Sequence, residues 1–400
     1  MEPVIRQLIV KRFRSIPAET ILFDNPTFLV GRNGSGKSNI VDLFSFLADA
    51  MGSPLQAVFD RRGGIATVRN RTSGHGGYPP NLGIGVVLGS LGDDIKGGRY
   101  LFEVRALPNY GFEIVREWCQ VDRRDGESVR FERTKKRGFA ANVKGLHPSL
   151  DPASLALPVV GGDSRFAPVL RVLAGMRVNS IQPVKLREMQ DPDSGTSLKP
   201  DGSNAASVLQ DIERHSHGNM LRICETLATI VANTKSVRTK KHGNKISLEF
   251  TQEWADNRRL RFEAFNMSDG TLRAVGLLTA VYQQPPPSLL AIEEPEATIH
   301  PGALGAILDL LRHASKQMQV VVTTHSPEVL DGKWIRDEHL RIVDWREGAT
   351  HVSRISDSSR RALQKHLMGA GELLRSNALE PGPLFQKSAQ RDGTLFEESE

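Results

Sequence analysis

Cysteine is nearly absent from this 400-residue chain: only Cys119 and Cys224 occur, without metal-ligand spacing and too few for a disulfide framework. A reducing cytosol is the compartment this suggests. Long apolar runs are missing too. None approaches the roughly 20 residues a membrane helix needs, and the opening "MEPVIRQLIVKRFRS" carries charges inside its short apolar run, unlike a signal peptide. The expectation is a soluble, cytoplasmic protein with no membrane partner. Charge of one sign is not in excess: 52 basic against 46 acidic side chains leave +6, too mild to decide for or against a nucleic-acid partner. No heptad run sustains several turns, which excludes a long coiled coil, and no segment repeats. What is present, 39% hydrophobic and 24% charged residues, is the composition of a globular protein. The length allows two or three domains, or one large α/β domain with an insertion.

The most informative stretch is "FLVGRNGSGKSNIVDLFSFL", residues 28–47. Within it Gly31, Arg32, Asn33, Gly34, Ser35, Gly36, Lys37 and Ser38 fit G-x-x-x-x-G-K-[ST] at every fixed position. The glycines let the backbone turn sharply and aim several N–H groups at one anion. Lys37 supplies a point charge for the β/γ-phosphates of a nucleotide, and the Ser38 hydroxyl can ligate Mg²⁺. Such a loop needs a strand before it and a helix after it. "TFLV" and "SNIVDLFSFLADAM", with Ile40, Leu43, Phe44 and Leu47 at helical spacing, supply both.

Strand-like runs at 4–13, 19–24 and 27–30 precede the loop. From Arg61 to Lys144 glycine-rich turns separate further runs at 84–89, 100–107, 111–121 and 128–134, which suggests an antiparallel β region. Residues 165–177 and 204–232 read as helices, and 244–250 and 258–265 as strands. A helix at 271–283, a strand at 288–292, a helix at 302–315 and strands at 319–324 and 340–345 follow. Apolar strands alternating with helices imply a partly parallel sheet covered on both faces. The predicted organisation is an α/β core from 1–60 and 233–375. It carries an insertion at 61–232, β-rich over 61–145 and helical over 165–232. A polar, flexible tail occupies 376–400.

A phosphate loop of this kind works with an acidic residue at the end of a buried strand, which holds Mg²⁺ directly or through water. "SLLAIEEPEATIHP" ends an apolar run in Glu293, and Glu294 follows at once. Adjacent carboxylates at a strand tip can divide labour, one facing the metal and the other positioning or deprotonating a water; the plainer alternative is an ordinary charged loop. The next strand, "QVVVTT", ends at His325, from where an imidazole could reach a γ-phosphate. Alone, such a histidine is more often structural. Between these, Ser268, Asp269, Gly270 and Thr271 precede an amphipathic helix. The first N–H groups of that helix either bind an anion or are capped by Ser268 or Asp269.

Taken in order, these motifs resemble those of ABC-class ATPases, in the group that includes the structural-maintenance-of-chromosomes (SMC) heads, RecF and the OLD proteins. The stand-alone bacterial members, known as AAA-family ATP-binding proteins, are especially similar. "LIVKRFRSI" resembles their opening strand, "VGRNGSGKSN" their Walker A including Asn39, and "MSDGT" their signature loop. "LLAIEEPEATIHP" resembles Walker B with its D-loop, "TTHSPEVLD" the switch-histidine segment, and "PDGSNAASVLQDI" a stretch of the stand-alone members. The likeness covers most of residues 1–345. It implies an α/β fold, an ABC-type P-loop ATPase head with a mixed sheet flanked by helices and an antiparallel β-rich insertion. It further implies that Gly31–Ser38 and Asn39 hold the phosphates of ATP, and that Ser38 and Glu293 hold Mg²⁺. Glu294 becomes the catalytic carboxylate and His325 the sensor of the γ-phosphate. The loop Ser268, Asp269, Gly270, Thr271 acts through Ser268 and Gly270 on ATP bound to a second subunit, so that two copies sandwich two nucleotides as a homodimer. Three departures stand out. Glu293 occupies a position where most relatives carry Asp. Asp269 and Thr271 replace the Gly and Gln of many transporters. No Q-loop glutamine is evident, Gln56 and Gln182 both being candidates.

The resemblance implies an ATP-driven dimeric switch acting on DNA or on a partner effector or nuclease, in anti-phage defence or DNA maintenance. Basic segments that could neutralise phosphates are Arg61, Arg62, Arg69 and Arg71; Lys135, Lys136 and Arg137; and Lys235, Arg238, Lys240, Lys241 and Lys245. Each is otherwise a solvated face, and no aromatics are interleaved for base stacking. The alternative is the nucleotide-binding subunit of a membrane transporter. Against it stand the MSDGT loop, the 231-residue spacing from Lys37 to Ser268 and the opening strand. A built-in nuclease has little room, since about 75 residues follow His325, and "DPD" at 191–193 reads as a turn. Cleavage, on this reading, belongs to a partner.

Overall fold

The computed structural model describes residues 1–70, 81–107, 111–255 and 258–384. Its strands are, in chain order, β1 (Ile5–Phe13), β2 (Ile16–Leu22), β3 (Thr27–Val30), β4 (Leu82–Leu88), β5 (Ile95–Ala106), β6 (Phe112–Arg123), β7 (Ser128–Thr134) and β8 (Gly138–Ala141). Then come β9 (Met176–Asn179), β10 (Thr234–His242), β11 (Lys245–Glu253), β12 (Arg259–Glu263), β13 (Leu289–Glu293), β14 (Gln319–Thr324), β15 (Leu340–Arg346), β16 (Ala349–Ile355) and β17 (Pro381–Leu384). They belong to two compact units, one made of Glu2–Met176, Arg336–Lys365 and the chain from Leu379, the other chiefly of Arg177–Ile335 and His366–Ala378.

The first unit contains an antiparallel sheet of order β2-β1-β4-β5-β6-β7-β8. The helix Lys37–Gly52 is seated on it by an apolar face. Phe46 meets Phe13 of β1 edge-on at 5.6 Å and stacks on Phe102 of β5 at 6.4 Å, while the Arg62 guanidinium lies 5.2 Å from the centre of its ring. Ile40, Leu43, Phe44, Phe46 and Leu47 are fully buried, each worth roughly 1.5–3 kcal/mol. That burial holds the helix and the loop that opens it. Strands β17-β16-β15-β3 form a second, mixed array in the same unit, with β3 parallel to β15 (Phe28 opposite Leu340) and β16 antiparallel to it. All four residues of β3 are buried.

The stretch expected as a β-rich insertion is continuous with what precedes the loop. Leu8 of β1 pairs with Val86 of β4, and Val10 with Ile84, so the expected boundary at residue 60 runs through one sheet. The sequence shows the strands and hides their pairing.

In the second unit β13 and β14 are parallel, in register from Leu289 opposite Gln319 to Glu293 opposite Thr323. The helix Pro301–Ala314 connects them, and β9 lies on the other side of β13. The helix Asp269–Tyr282 is buried from Thr271 to its end, as an almost continuously apolar helix must be. Helices Pro183–Arg187, Ala205–His215, His217–Ile230 and Pro301–Ala314 pack around it. A meander β10-β11-β12 completes the unit. The single helix expected at 204–232 is two, broken at Ser216, whose φ of −145° and ψ of 66° leave the helical region. β10, in sequence a basic run, is a strand of this meander. Within the expected tail, Pro381–Leu384 forms β17, and residues 385–400 lie outside the described residues. Among the described residues no helix is long and apolar enough to cross a membrane.

Candidate functional site

The glycine-rich loop leaves β3 and enters the helix at Lys37, and its glycines answer to separate constraints. A Cβ on Gly31 would lie 2.1 Å from the Val343 carbonyl oxygen of β15. Gly36 has φ +101°, and a Cβ there would lie 2.0 Å from Thr350 Oγ1 of β16. Gly34 has φ +81° in open surroundings, where conformation alone selects glycine. Arg32, Asn33, Gly34 and Ser38 are exposed. Lys37 is buried, and its Nζ donates to the carbonyls of Gly31 (2.7 Å) and Arg32 (3.0 Å). Ser35 is buried too, and its Oγ has no hydrogen-bond partner among the described residues. A buried ammonium and a buried hydroxyl without a partner among the described residues fit a phosphate ligand. Asn39 Nδ2 donates to Ser15 Oγ at 2.6 Å.

The paired acids sit at the tip of β13, and His325 follows the tip of β14. Glu294 adopts φ 44°, and its N–H donates to the Thr323 carbonyl (3.0 Å) and Thr323 Oγ1 (3.2 Å). That turn brings its Oε1 to 3.1 Å from His325 Nδ1. Glu294 and His325, both expected at the site, are thus in contact, with Glu293 ending β13 beside them.

Three further side chains hold this tip, and the sequence reading passed over their roles. Arg273, in the buried helix, donates through Nη2 to the carbonyls of Glu293 (3.0 Å) and Glu294 (2.7 Å), and through Nη1 to that of Ile181 (2.8 Å). Burial pushes the pKa of its guanidinium down against the pull of Glu296, Glu294 and Glu293. Thr324 Oγ1 donates to Glu296 Oε1 at 2.7 Å and accepts the Ser326 N–H at 3.0 Å, bracing the turn that carries His325. Burial raises the Glu296 carboxyl above its usual range, and the Thr324 hydrogen bond works the other way.

Ser268 caps its helix, accepting the Thr271 N–H at 3.2 Å and meeting Thr271 Oγ1 at 2.9 Å. The capping alternative is therefore realised. Asp269 pairs with Arg187 at 2.6 Å, and Arg187 also donates to the Met267 carbonyl. A Cβ on Gly270 would lie 2.6 Å from the Thr298 carbonyl oxygen, in the loop that follows the paired acids. Only glycine admits so close an approach.

Of the two candidate Q-loop glutamines, Gln56 bonds Asp60 within its own short helix. Gln182 follows directly on Ile181, whose carbonyl Arg273 holds. The "DPD" segment is irregular chain, in which Asp193 accepts the Gly195 N–H at 2.9 Å.

The basic clusters are largely compensated. Lys235 pairs with Glu253, Arg238 with Glu249, Lys240 with Glu263 and Lys245 with Asp191. Lys135 pairs with Glu113, and Arg62 with Asp42 and Asp49. Arg71 lies outside the described residues.

Fold and motifs together define an ABC-class P-loop protein built like an SMC head. A family model described as "AAA domain, putative AbiEii toxin, Type IV TA system" matches residues 27–137 and 132–331, most of the chain, and the protein belongs to that family. No curated protein matches it. Among solved structures it is similar to an SMC head bound to the C-winged helix domain of ScpA. That likeness has 17% identity and a TM-score of 0.54 and covers 90% of this chain and 99% of that one. It is also similar to an SMC head with an extended coiled coil, bound to the C-terminal domain of ScpA derived from Pyrococcus furiosus. There the identity is 16% and the TM-score 0.50, covering 91% of this chain and 99% of that one. At these identities the likeness is one of fold.

Proposed function

We propose that the protein is an ATPase that closes as a homodimer around ATP and acts as a switch on a partner effector or nuclease, or on DNA, in anti-phage defence or DNA maintenance. Lys37 and the amides of the Gly31–Ser38 loop hold the phosphates. Ser38 and Glu293 hold Mg²⁺, whose charge offsets that of the phosphoryl group being transferred. Glu294 orients and deprotonates the attacking water, and His325 steadies that carboxylate and faces the γ-phosphate. Ser268 and Gly270 serve a nucleotide bound by a second copy. The observation that carries this reading is the Glu294–His325 contact at the tips of two buried parallel strands, since a base and its orienting partner need that reach. A separate partner protein is in keeping with the ScpA domains bound to the two SMC heads, and the family's description points towards toxin systems.

Glu294→Gln tests the assignment. The amide keeps the shape and can still bond His325, so nucleotide affinity should stay within about twofold. Turnover should fall by roughly 10²–10⁴, the usual worth of a general base, and an ATP-dependent dimer should accumulate in light scattering. Wild-type turnover in this variant would remove Glu294 from the chemistry.

A further inference from the structure

Thr350 lies beyond every motif of the site, at the start of β16, and is fully buried. Its Oγ1 donates to the Ser35 carbonyl at 3.0 Å and lies 2.7 Å from Ser15 Oγ, in the turn between β1 and β2. Ser15 Oγ in turn accepts from Asn39 Nδ2 at 2.6 Å. Because Thr350 donates its only proton to Ser35, the Ser15 hydroxyl must donate to Thr350, and the chain runs one way: Asn39 amide, Ser15 hydroxyl, Thr350 hydroxyl, Ser35 carbonyl. A backbone bond from the Thr350 N–H to the Ser15 carbonyl at 2.9 Å fixes the two hydroxyls against each other.

The end of this chain is a peptide plane that matters. A trans peptide points its C=O and the following N–H in opposite directions. With the Ser35 carbonyl held back against Thr350, the Gly36 N–H is turned to the opposite side, away from Thr350. Glycine at 36, with φ +101°, lets that peptide flip at little steric cost; a flipped peptide would present a carbonyl oxygen to an anion. The flexibility that lets the loop form is what has to be restrained.

We infer that Thr350, with Ser15 and Asn39, is a positioning residue that locks the Ser35–Gly36 peptide in its anion-binding orientation. The inference rests on the reading of Gly31–Ser38 as a phosphate cradle. It reassigns Asn39 from the nucleotide to the support of the loop.

Thr350→Val keeps the β-branched shape that β16 favours and removes the donor. Binding of a fluorescent ATP analogue with Mg²⁺, and its displacement by inorganic tripolyphosphate, report on the cradle. Thr350→Val should weaken both by roughly tenfold, the scale of one buried hydrogen bond lost with its partner left unsatisfied. Thr350→Ser, which restores the hydroxyl, should recover the affinity. Ser15→Ala should weaken binding as well, and the double variant Ser15→Ala/Thr350→Val should be no weaker than the poorer single one, because both break one chain. Lys37→Ala separates the two readings: wild-type binding that this variant abolishes upholds the cradle. Given that, Thr350→Val with unchanged affinity, or losses that multiply in the double variant, would overturn the lock while leaving the cradle in place. Ser15 is half-exposed, so its variant reports even where Thr350→Val fails to fold.

Discussion

Arg273 shows how a single buried cation can tie a helix to the tip of a neighbouring strand. A guanidinium withdrawn from water is costly unless its N–H groups and charge are answered. Here three main-chain carbonyls take Nη1 and Nη2, Nε has no hydrogen-bond partner among the described residues, and the field of Glu293, Glu294 and Glu296 answers the charge. Replacing it by methionine leaves those carbonyls without their donor and the carboxylates without their counter-charge. Arg273→Met should therefore lower stability by about 3 kcal/mol and reduce turnover more than tenfold. Nucleotide affinity, which the proposed function places on Lys37 and its loop, should change little. Arg273→Lys keeps the charge but cannot fork to three oxygens, and should fall between. Urea denaturation and steady-state turnover measured together are the check; a methionine variant as active as the parent would deny Arg273 any part in aligning Glu294. The sequence disguised this residue. An arginine near the start of a helix reads as a solvated charge, and only the carbonyls of Ile181, Glu293 and Glu294 explain its burial.

At the scale of elements, the start of the short helix Leu157–Val160 is tied to β6 by one carboxylate. Glu117 of β6 accepts the N–H groups of Ala156 (2.5 Å) and Leu157 (2.8 Å), where the short helix Leu157–Val160 begins, and the Tyr100 hydroxyl (3.0 Å). Burial pushes its pKa from 4.5 up to about 6, against the pull of those hydrogen bonds. Between these values the folded chain binds more protons than the unfolded one, so this group's contribution to stability is complete below about pH 4.5 and is lost as pH rises through 6. The sign is opposite to that of a paired surface carboxylate. Glu117→Gln cannot titrate, so its stability deficit against wild type should be about 1 kcal/mol larger at pH 5 than at pH 7. Denaturation curves at the two pH values measure it, and a deficit that does not change with pH would count against the assignment. Elements of this kind were unevenly legible. β3, the loop and the helix Lys37–Gly52 stand out because their pattern is local. β10, "TKSVRTKKH", hides as a charge run, with Val237 its one buried apolar side chain; it is a strand because β11 pairs with it along its length. The break at Ser216 interrupts no apolar period. Glu293, Glu294 and His325 were legible as the ends of apolar runs, whereas Ser15 and Thr350 meet only through tertiary pairing and carry no local mark.

For the whole molecule the open matter is the second copy. Acidic side chains face the basic ones on β10, β11 and β12, which removes much of the positive surface that phosphate backbones need and gives weight to a protein partner over DNA. Ser268 and Asp269 are exposed, and so is Phe265 just before them; an exposed aromatic beside the loop proposed to serve a second copy suits a surface that another chain covers. If Ser268 of one copy completes the site built on Lys37 of the other, two defects can be separated by mixing. Lys37→Ala destroys the phosphate cradle, and Ser268→Arg blocks the loop that serves the facing copy. The arginine points into solvent and forfeits only the cap, about 1 kcal/mol, so the chain still folds. Either variant alone spoils both composite sites. In a mixed dimer one site carries both defects and the other carries none. Equal mixing places half of the chains in such dimers, so about a quarter of the sites are intact and turnover should recover towards a quarter of the wild-type rate, with a second-order dependence on protein concentration. Turnover that stays at the level of the separate variants, while scattering shows that mixed dimers have formed, would mean that each chain completes its own site or that the two sites must fire together. Wild-type turnover per chain that holds constant on dilution below the dimer's dissociation range decides between these, since only a self-sufficient chain can do that.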